Sequence, residues 1–408
     1  MSTPRRDITL LFVTRSARLF GYGFLSIVFV LYLVRIGLGG GAIGLLLALT
    51  LLGDAGISLW ITTRADRLGR RRMLVVGALL MVAGGAAFLL TRRLELLMLA
   101  AIVGVISPSG NEIGPFLSIE QAALSQLVAD ERRTQVFAWY NLAGSVATAL
   151  GALAGGWLTH LAQRGGLTEE DSYRVLLACY AAVGLLLAAL FTRLSPAVET
   201  AAAARRTAAG ARFGLHRSGA VVARLSALFA LDAFGGGFVL QSVMAYWFHV
   251  RFGASVAALG GLFFGANLLA AVSALLAHRI AARIGLVNTM VVTHLPSNVL
   301  LVLVPLMPTL GTAMAVLLAR FAISQMDVPT RQSYTMAVVA PDERAAAAGV
   351  TGIARSLGAG VAPVIGGAFL LTGSGAPFFI AGGLKILYDL LLYRAFRRMP
   401  APSDPRSA

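Results

Sequence analysis

The chain has 408 residues, 58% of them hydrophobic and only 13% charged, about half the charged share of an ordinary soluble domain. Its net charge of +16 comes from arginines gathered in alternate loops, a pattern that excludes a nucleic-acid surface and fits a polytopic membrane protein. The single cysteine, Cys179, excludes an intrachain disulfide and argues against a metal-ligand cluster, so neither metal nor cofactor is expected.

Long apolar runs follow one another with short breaks. Each is near the roughly 20 residues that carry a helix across a bilayer, and none shows the short alternation of a β-barrel strand. The first span is predicted at 8–35. Its basic start, "MSTPRRDITLLF", precedes a run of span length without a small-residue cleavage site, which reads as a retained span. Further spans are predicted at 42–63, 73–90, 96–128, 134–161 and 173–194. A polar, Ala/Arg-rich linker follows at 195–218. Six more spans are predicted at 220–250, 255–277, 286–306, 311–340, 345–371 and 377–396. The resulting architecture is an all-α membrane protein of twelve transmembrane helices: a first six-helix bundle (1–194), a linker (195–218), a second bundle (219–398) and a tail (399–408). "GGGAIG" at 39–44 fits a dinucleotide fingerprint, but it joins two apolar spans and reads as a tight turn.

Charge fixes the orientation. "TRADRLGRRRM" between spans two and three is strongly basic, as are the linker and the C-terminal "YRAFRRM". The intervening "RIGLGGGAIG", "AQRGGLTEEDSYR" and "LTGSGAPF" carry little positive charge. Basic loops face the cytoplasm, so both termini and the linker are expected there, in a plasma (inner) membrane.

The sequence also repeats itself. "RLFGYGFLSIVFVLY" from Arg18 aligns without a gap on "DAFGGGFVLQSVMAY" from Asp232, matching Phe20 with Phe234, Gly23 with Gly237 and Tyr32 with Tyr246. "VADER" in the first half returns as "VAPDER" in the second. "GALAGGWL" matches "APVIGGAF", and "RADRLGR" has a worn counterpart in "IAARIGL". Two halves in the same orientation form a parallel repeat, whose substrate site is expected between the halves near the bilayer midplane.

At this point the pattern resembles a known family. "ADRLGRRRM", with Asp66, Arg67, Gly69, Arg70 and Arg71, is similar to the loop signature of the major facilitator superfamily, although Thr62 stands where that signature has glycine. "GALAGG" at 151–156 resembles the fifth-helix motif of the family's antiporters, with Ala152 in place of its proline. The resemblance implies a secondary transporter working by alternating access, acting as a monomer, in which the loop from Asp66 to Arg71 gates.

Charges inside membrane helices are functional candidates by default. Arg18 aligns with Asp232, and Glu120 aligns with Arg331. At about 1.5 Å per residue, Arg18 lies roughly 16 Å from Asp7 and Glu120 roughly 15 Å from Asp130, at matching depth. Two ion pairs are expected, Arg18–Glu120 and Asp232–Arg331, with the sign exchanged between halves. Each fits a structural lock between helices, or proton and substrate binding. Pro108, Gly110, Gly114 and Pro115 should break span four, placing Asn111 and Glu112 against a cavity. Asp54, Gln325 and Asp327 complete the candidates for substrate or proton binding. Lys385 and Asp389, one turn apart, are expected to neutralise each other within span twelve. Trp139, Tyr140, Tyr246 and Trp247 are expected to face either a cavity or the membrane interface, the commoner place for aromatic residues near span ends.

The function expected is proton-coupled export of a small organic solute. An uptake symporter or uniporter is the alternative, and the buried arginines Arg15, Arg18, Arg320, Arg331 and Arg355 suit an anion. A non-transporting receptor or assembly subunit is the reading from another class. No nucleophile–base spacing supports an enzyme.

Overall fold

The structure is a computed structural model that describes residues 3–112, 114–199, 216–340 and 343–397. Most of the linker and the C-terminal tail therefore lie outside the described residues. Among those described, the regular structure is helical and no strand occurs. Ten helices are long and apolar enough to cross a membrane. Two further spans are each assembled from a pair of helices: the fourth from Leu94–Val103 and Phe116–Leu127, the tenth from Leu310–Ser324 and Asp327–Val338. Ten and two make twelve.

The breaks have local causes. In span four, Gly110 and Gly114 take φ of 70° and 83°, a region that disfavours other residues, and Pro115 opens the second piece. The sequence reading placed one continuous helix at 311–340, and there the structure differs. Pro329 has no N–H to give the carbonyl of Gln325, and its ring crowds that carbonyl, so the helix stops at Ser324 and restarts at Asp327. Ends are set in ordinary ways. Thr168 caps span six by accepting from the Asp171 N–H at 3.1 Å, with Glu169, Glu170 and Asp171 in the first turn. Gly253 closes span seven in the left-handed conformation.

The helices cluster into two compact units, Met1–Ala211 with Ser255–Phe264, and Arg212–Ala254 with Gly265–Ala408. In the first, spans one and five touch backbone to backbone. A Cβ added at Gly23 would lie 2.1 Å from the Thr148 carbonyl oxygen, and one at Gly151 would lie 2.1 Å from that of Phe20. The second unit repeats the device between spans seven and eleven, with Gly237 against Ala359 and Gly358 against Ala230. Edge-on ring pairs recur too, Phe20–Phe24 at 5.8 Å and Phe234–Phe238 at 5.3 Å. Large apolar side chains such as Leu90, Leu99 and Val292 are exposed along spans, which suits lipid rather than water.

The first unit's two ends are tied differently. At one, the Asp7 carboxylate accepts from the backbone N–H and hydroxyl of Ser195, and Glu199 accepts from the backbone N–H groups of Arg70 and Arg71 at 2.7 and 3.2 Å. At the other, Arg92 pairs with Glu170 and Arg35 with Glu169.

Candidate functional site

Each unit holds a buried ionic network. In the first, Arg15 and Arg18 stand three residues apart on span one and so share a face. Arg18 grips Glu120 with two parallel bonds, Nη1 to Oε1 at 2.8 Å and Nη2 to Oε2 at 2.7 Å, and both side chains are fully buried. The Tyr140 hydroxyl donates to Glu120 Oε2 at 2.5 Å. The break in span four brings in Glu112, which accepts from Arg18 Nε at 3.0 Å and pairs with Arg15 Nη1 at 3.2 Å. Arg15 Nη2 also donates to Asn141 at 3.3 Å. The Arg18 guanidinium lies 4.3 Å from the centre of the Phe116 ring, and that of Arg15 lies 4.5 Å from that of Tyr140. Two cations thus meet two carboxylates. Arg18 belongs to both carboxylates, a sharing that the pairwise reading did not include.

In the second unit Asp232 is the hub. Its Oδ1 accepts from Lys385 Nζ at 2.5 Å, and its Oδ2 accepts from Arg331 Nη1 at 3.0 Å and Arg355 Nη1 at 3.4 Å. Asp327, one turn before Arg331, pairs with it at 3.2 Å. His294 and Asn298, one turn apart on span nine, both bond Asp389 of span twelve, at 2.8 and 2.9 Å. Nδ1 of His294 faces Asp389, and its Nε2 is turned toward Asp232 at 3.8 Å.

The two expected ion pairs are formed, and other expectations need correction. Lys385 and Asp389 do not neutralise each other. Side chains lean toward a helix's N-terminus, and a lysine N-terminal to the acid is the weaker order, so Lys385 reaches Asp232 while Asp389 turns to span nine. Tyr140 is no interfacial anchor but a buried partner of Glu120, and Trp247 is buried, donating to the Gly373 carbonyl at 3.2 Å. Trp139 is exposed. Asn111 is exposed and joins neither network, though its carbonyl accepts from Ser107. Gln325 ends the first piece of span ten, half-buried. Asp54 accepts from the Ser58 hydroxyl at 3.3 Å and from the Gly114 backbone N–H, rather than pairing with a cation.

The loop from Asp66 to Arg71 is a junction of several bonds. Arg70 Nε donates to Asp66 at 2.9 Å, and its Nη1 donates to Gln126 at 2.8 Å. Gly69 has φ of 104°, which explains the glycine, while Arg67 is exposed. The worn counterpart keeps this backbone feature and one arginine but not the acid: Gly285 has φ of 84°, Arg283 matches Arg67, and Ala282 stands where Asp66 would be. In the second unit Glu343 takes the tying role. It accepts from the backbone N–H of Arg217, His216 and Ser218 at 2.7, 2.5 and 2.8 Å, and the first of these does most to lower its pKa to about 2. Sequence reasoning missed Glu199, Glu343 and His294. The polar run "THLPSN" inside an apolar span was the available signal for the last.

Among known proteins, the model of the Major Facilitator Superfamily matches residues 11–326. An uncharacterized membrane protein of Saccharomyces cerevisiae is 32% identical, covering 95% of this chain and 93% of its own length. A bacterial homologue of the human lysosomal transporter Spinster, solved in an inward-facing and occupied conformation, superposes with a TM-score of 0.75 at 14% identity, over 97% of each chain. The human organic anion transporter MFSD10 (TETRAN) superposes with a TM-score of 0.60 at 19% identity, over 96% of this chain and all of that one.

Proposed function

Because the chain belongs to the major facilitator superfamily, whose members are multi-pass solute transporters and not enzymes, we propose that it couples movement of a small organic solute to protons by alternating access, in the direction of export. One observation carries the coupling: His294 is bonded to Asp389 and faces Asp232, whose carboxylate three cations share. A proton arriving at His294 Nε2 makes the ring a cation between two carboxylates. It then competes with Lys385 and Arg331 for Asp232. One proton thereby redistributes bonds that tie span seven to spans ten, eleven and twelve, and neutralising any of these carboxylates removes the cost of exposing it to a less polar setting. Glu112, whose side chain is 14% exposed, is the most accessible carboxylate of the first network, and its protonation frees Arg15 and one bond of Arg18. Export is favoured by the "GALAGG" motif of span five.

The test uses protein reconstituted in liposomes, with a solute found by thermal-shift screening, since a ligand stabilises what it binds. Under an imposed pH gradient, an antiporter concentrates solute on the acidic side, the result expected. Concentration on the alkaline side indicates symport, and movement indifferent to the gradient removes the proton. We place the termini and linker in the cytoplasm of a plasma membrane and take the monomer as the working unit. A cysteine at Thr207 in a Cys179→Ser background should react with impermeant maleimide only after lysis; labelling of intact cells contradicts this topology.

A further inference from the structure

Resting on the transport reading above, we propose that Arg320, assisted by Arg355, binds an anionic group of the transported solute, a carboxylate, phosphate or sulfonate. Arg15, Arg18, Arg331 and Arg355 each meet a carboxylate within 3.4 Å. Arg320 meets none among the described residues, although it is only 8% exposed. It makes no hydrogen bond there either, and its Nε is fully enclosed without a partner. Its terminal nitrogens, equally unbonded, are not enclosed and so touch open space. The contact it does make is with the face of Phe321, 5.0 Å from the ring centre. Asp232 and Asp327 act on it through space, but both are engaged by other cations.

A buried cation without a partner is costly and persists where something supplies the counter-charge. The surroundings do not. Arg320, Arg331, Arg355 and Lys385 face three carboxylates, Asp232, Asp327 and Asp389, and His294 adds another positive charge when protonated. The first network, by contrast, is balanced at two against two. Arg320 also stands outside the mirrored scheme: it precedes Arg331 by eleven residues, and the residue eleven before Glu120 is Ser109. Arg355 is the natural second donor. Its side chain is 37% exposed, it holds Asp232 through a single long contact, and it shares Asp232 and Asp327 as neighbours with Arg320. Two guanidinium forks that share these carboxylate neighbours suit a planar or tetrahedral oxyanion.

Thermal unfolding of the purified full-length protein tests this without requiring transport, so its failure is separable from failure in the gradient assay. The probes are benzoate, succinate and inorganic phosphate, with benzamide as the neutral control and phosphatidylglycerol against phosphatidylcholine as the lipid arm. At least one soluble anion should raise the wild-type unfolding temperature saturably, with benzamide inert. Arg320→Gln should weaken that apparent Kd at least tenfold, Arg320→Lys should restore part of it, and Arg224→Gln, on an exposed face, should leave it unchanged. Without probe, Arg320→Gln should unfold at or above the wild-type temperature, because it deletes an unpaired charge. The proposal is overturned if no soluble anion shifts the wild type, or if Arg320→Gln binds as well. It is also overturned if that variant unfolds well below wild type without probe, or if only phosphatidylglycerol gives an Arg320-dependent shift, which would make this a lipid-phosphate site.

Discussion

Glu120 carries no exposed surface, yet every donor it needs is in place: two from Arg18, one from Tyr140 and a longer one from Thr14. Glu120→Gln leaves Arg18 buried with less charge to meet it. It should cost about 3–5 kcal/mol in unfolding free energy, read from denaturation in detergent. Exchanging the pair, Arg18→Glu with Glu120→Arg, restores one contact but sets a carboxylate at position 18 beside Glu112. Recovery of folded protein should therefore be partial, and a further Glu112→Gln should improve it. Full recovery by the double exchange alone would show that Glu112 is not coupled to Arg18. The mirrored pairs were legible because depth and sign are both written in the sequence once the repeat is aligned. The histidine–aspartate bond was not. His294 has no charged counterpart in the first half to flag it, and Lys385 and Asp389 offered each other a nearer but poorer partner.

At the scale of helices, the glycines carry more of the fold than hydropathy suggests. Gly151 opens the "GALAGG" run, and its physical duty here is to let span five lie on the backbone of span one. Gly151→Leu must push the Phe20 carbonyl away, an overpacking expected to cost about 3 kcal/mol or more. Gly41→Leu, where nothing lies within 4 Å, should be close to neutral. Unfolding temperatures of the two variants give the comparison, and equal values would remove the packing argument. The break in span four was readable because its glycines and prolines cluster. That in span ten hung on Pro329 alone, inside a run otherwise fit to be helical. The acid caps were harder still. Glu199 bonds N–H groups 128 and 129 residues away, and no local pattern announces such a bond. The Glu343 cap has a pH signature. Its pKa is lowered when folded, so its stabilisation is present above the ordinary value of 4.5 and fades as pH falls through about 2. The difference in unfolding temperature between wild type and Glu343→Gln should narrow over that window, and a constant difference would contradict the cap.

For the whole molecule, twelve spans followed from run length alone, because lipid leaves a chain few ways to satisfy its backbone. The working parts did not follow so directly, since a network is a property of side chains that meet from three spans in one unit and five in the other. What emerges is one balanced network, centred on Arg18, and one cation-rich network, centred on Asp232. In this account they carry protons and an anionic solute. The most direct test separates exchange from accumulation in liposomes, using Glu112→Gln and Asp389→Asn. If these carboxylates couple protons to transport, each variant still exchanges labelled solute across the membrane at equal pH, but at least one no longer concentrates it against a gradient when an external pH gradient is imposed. Wild-type accumulation with unchanged pH dependence in both variants would contradict proton coupling through these networks.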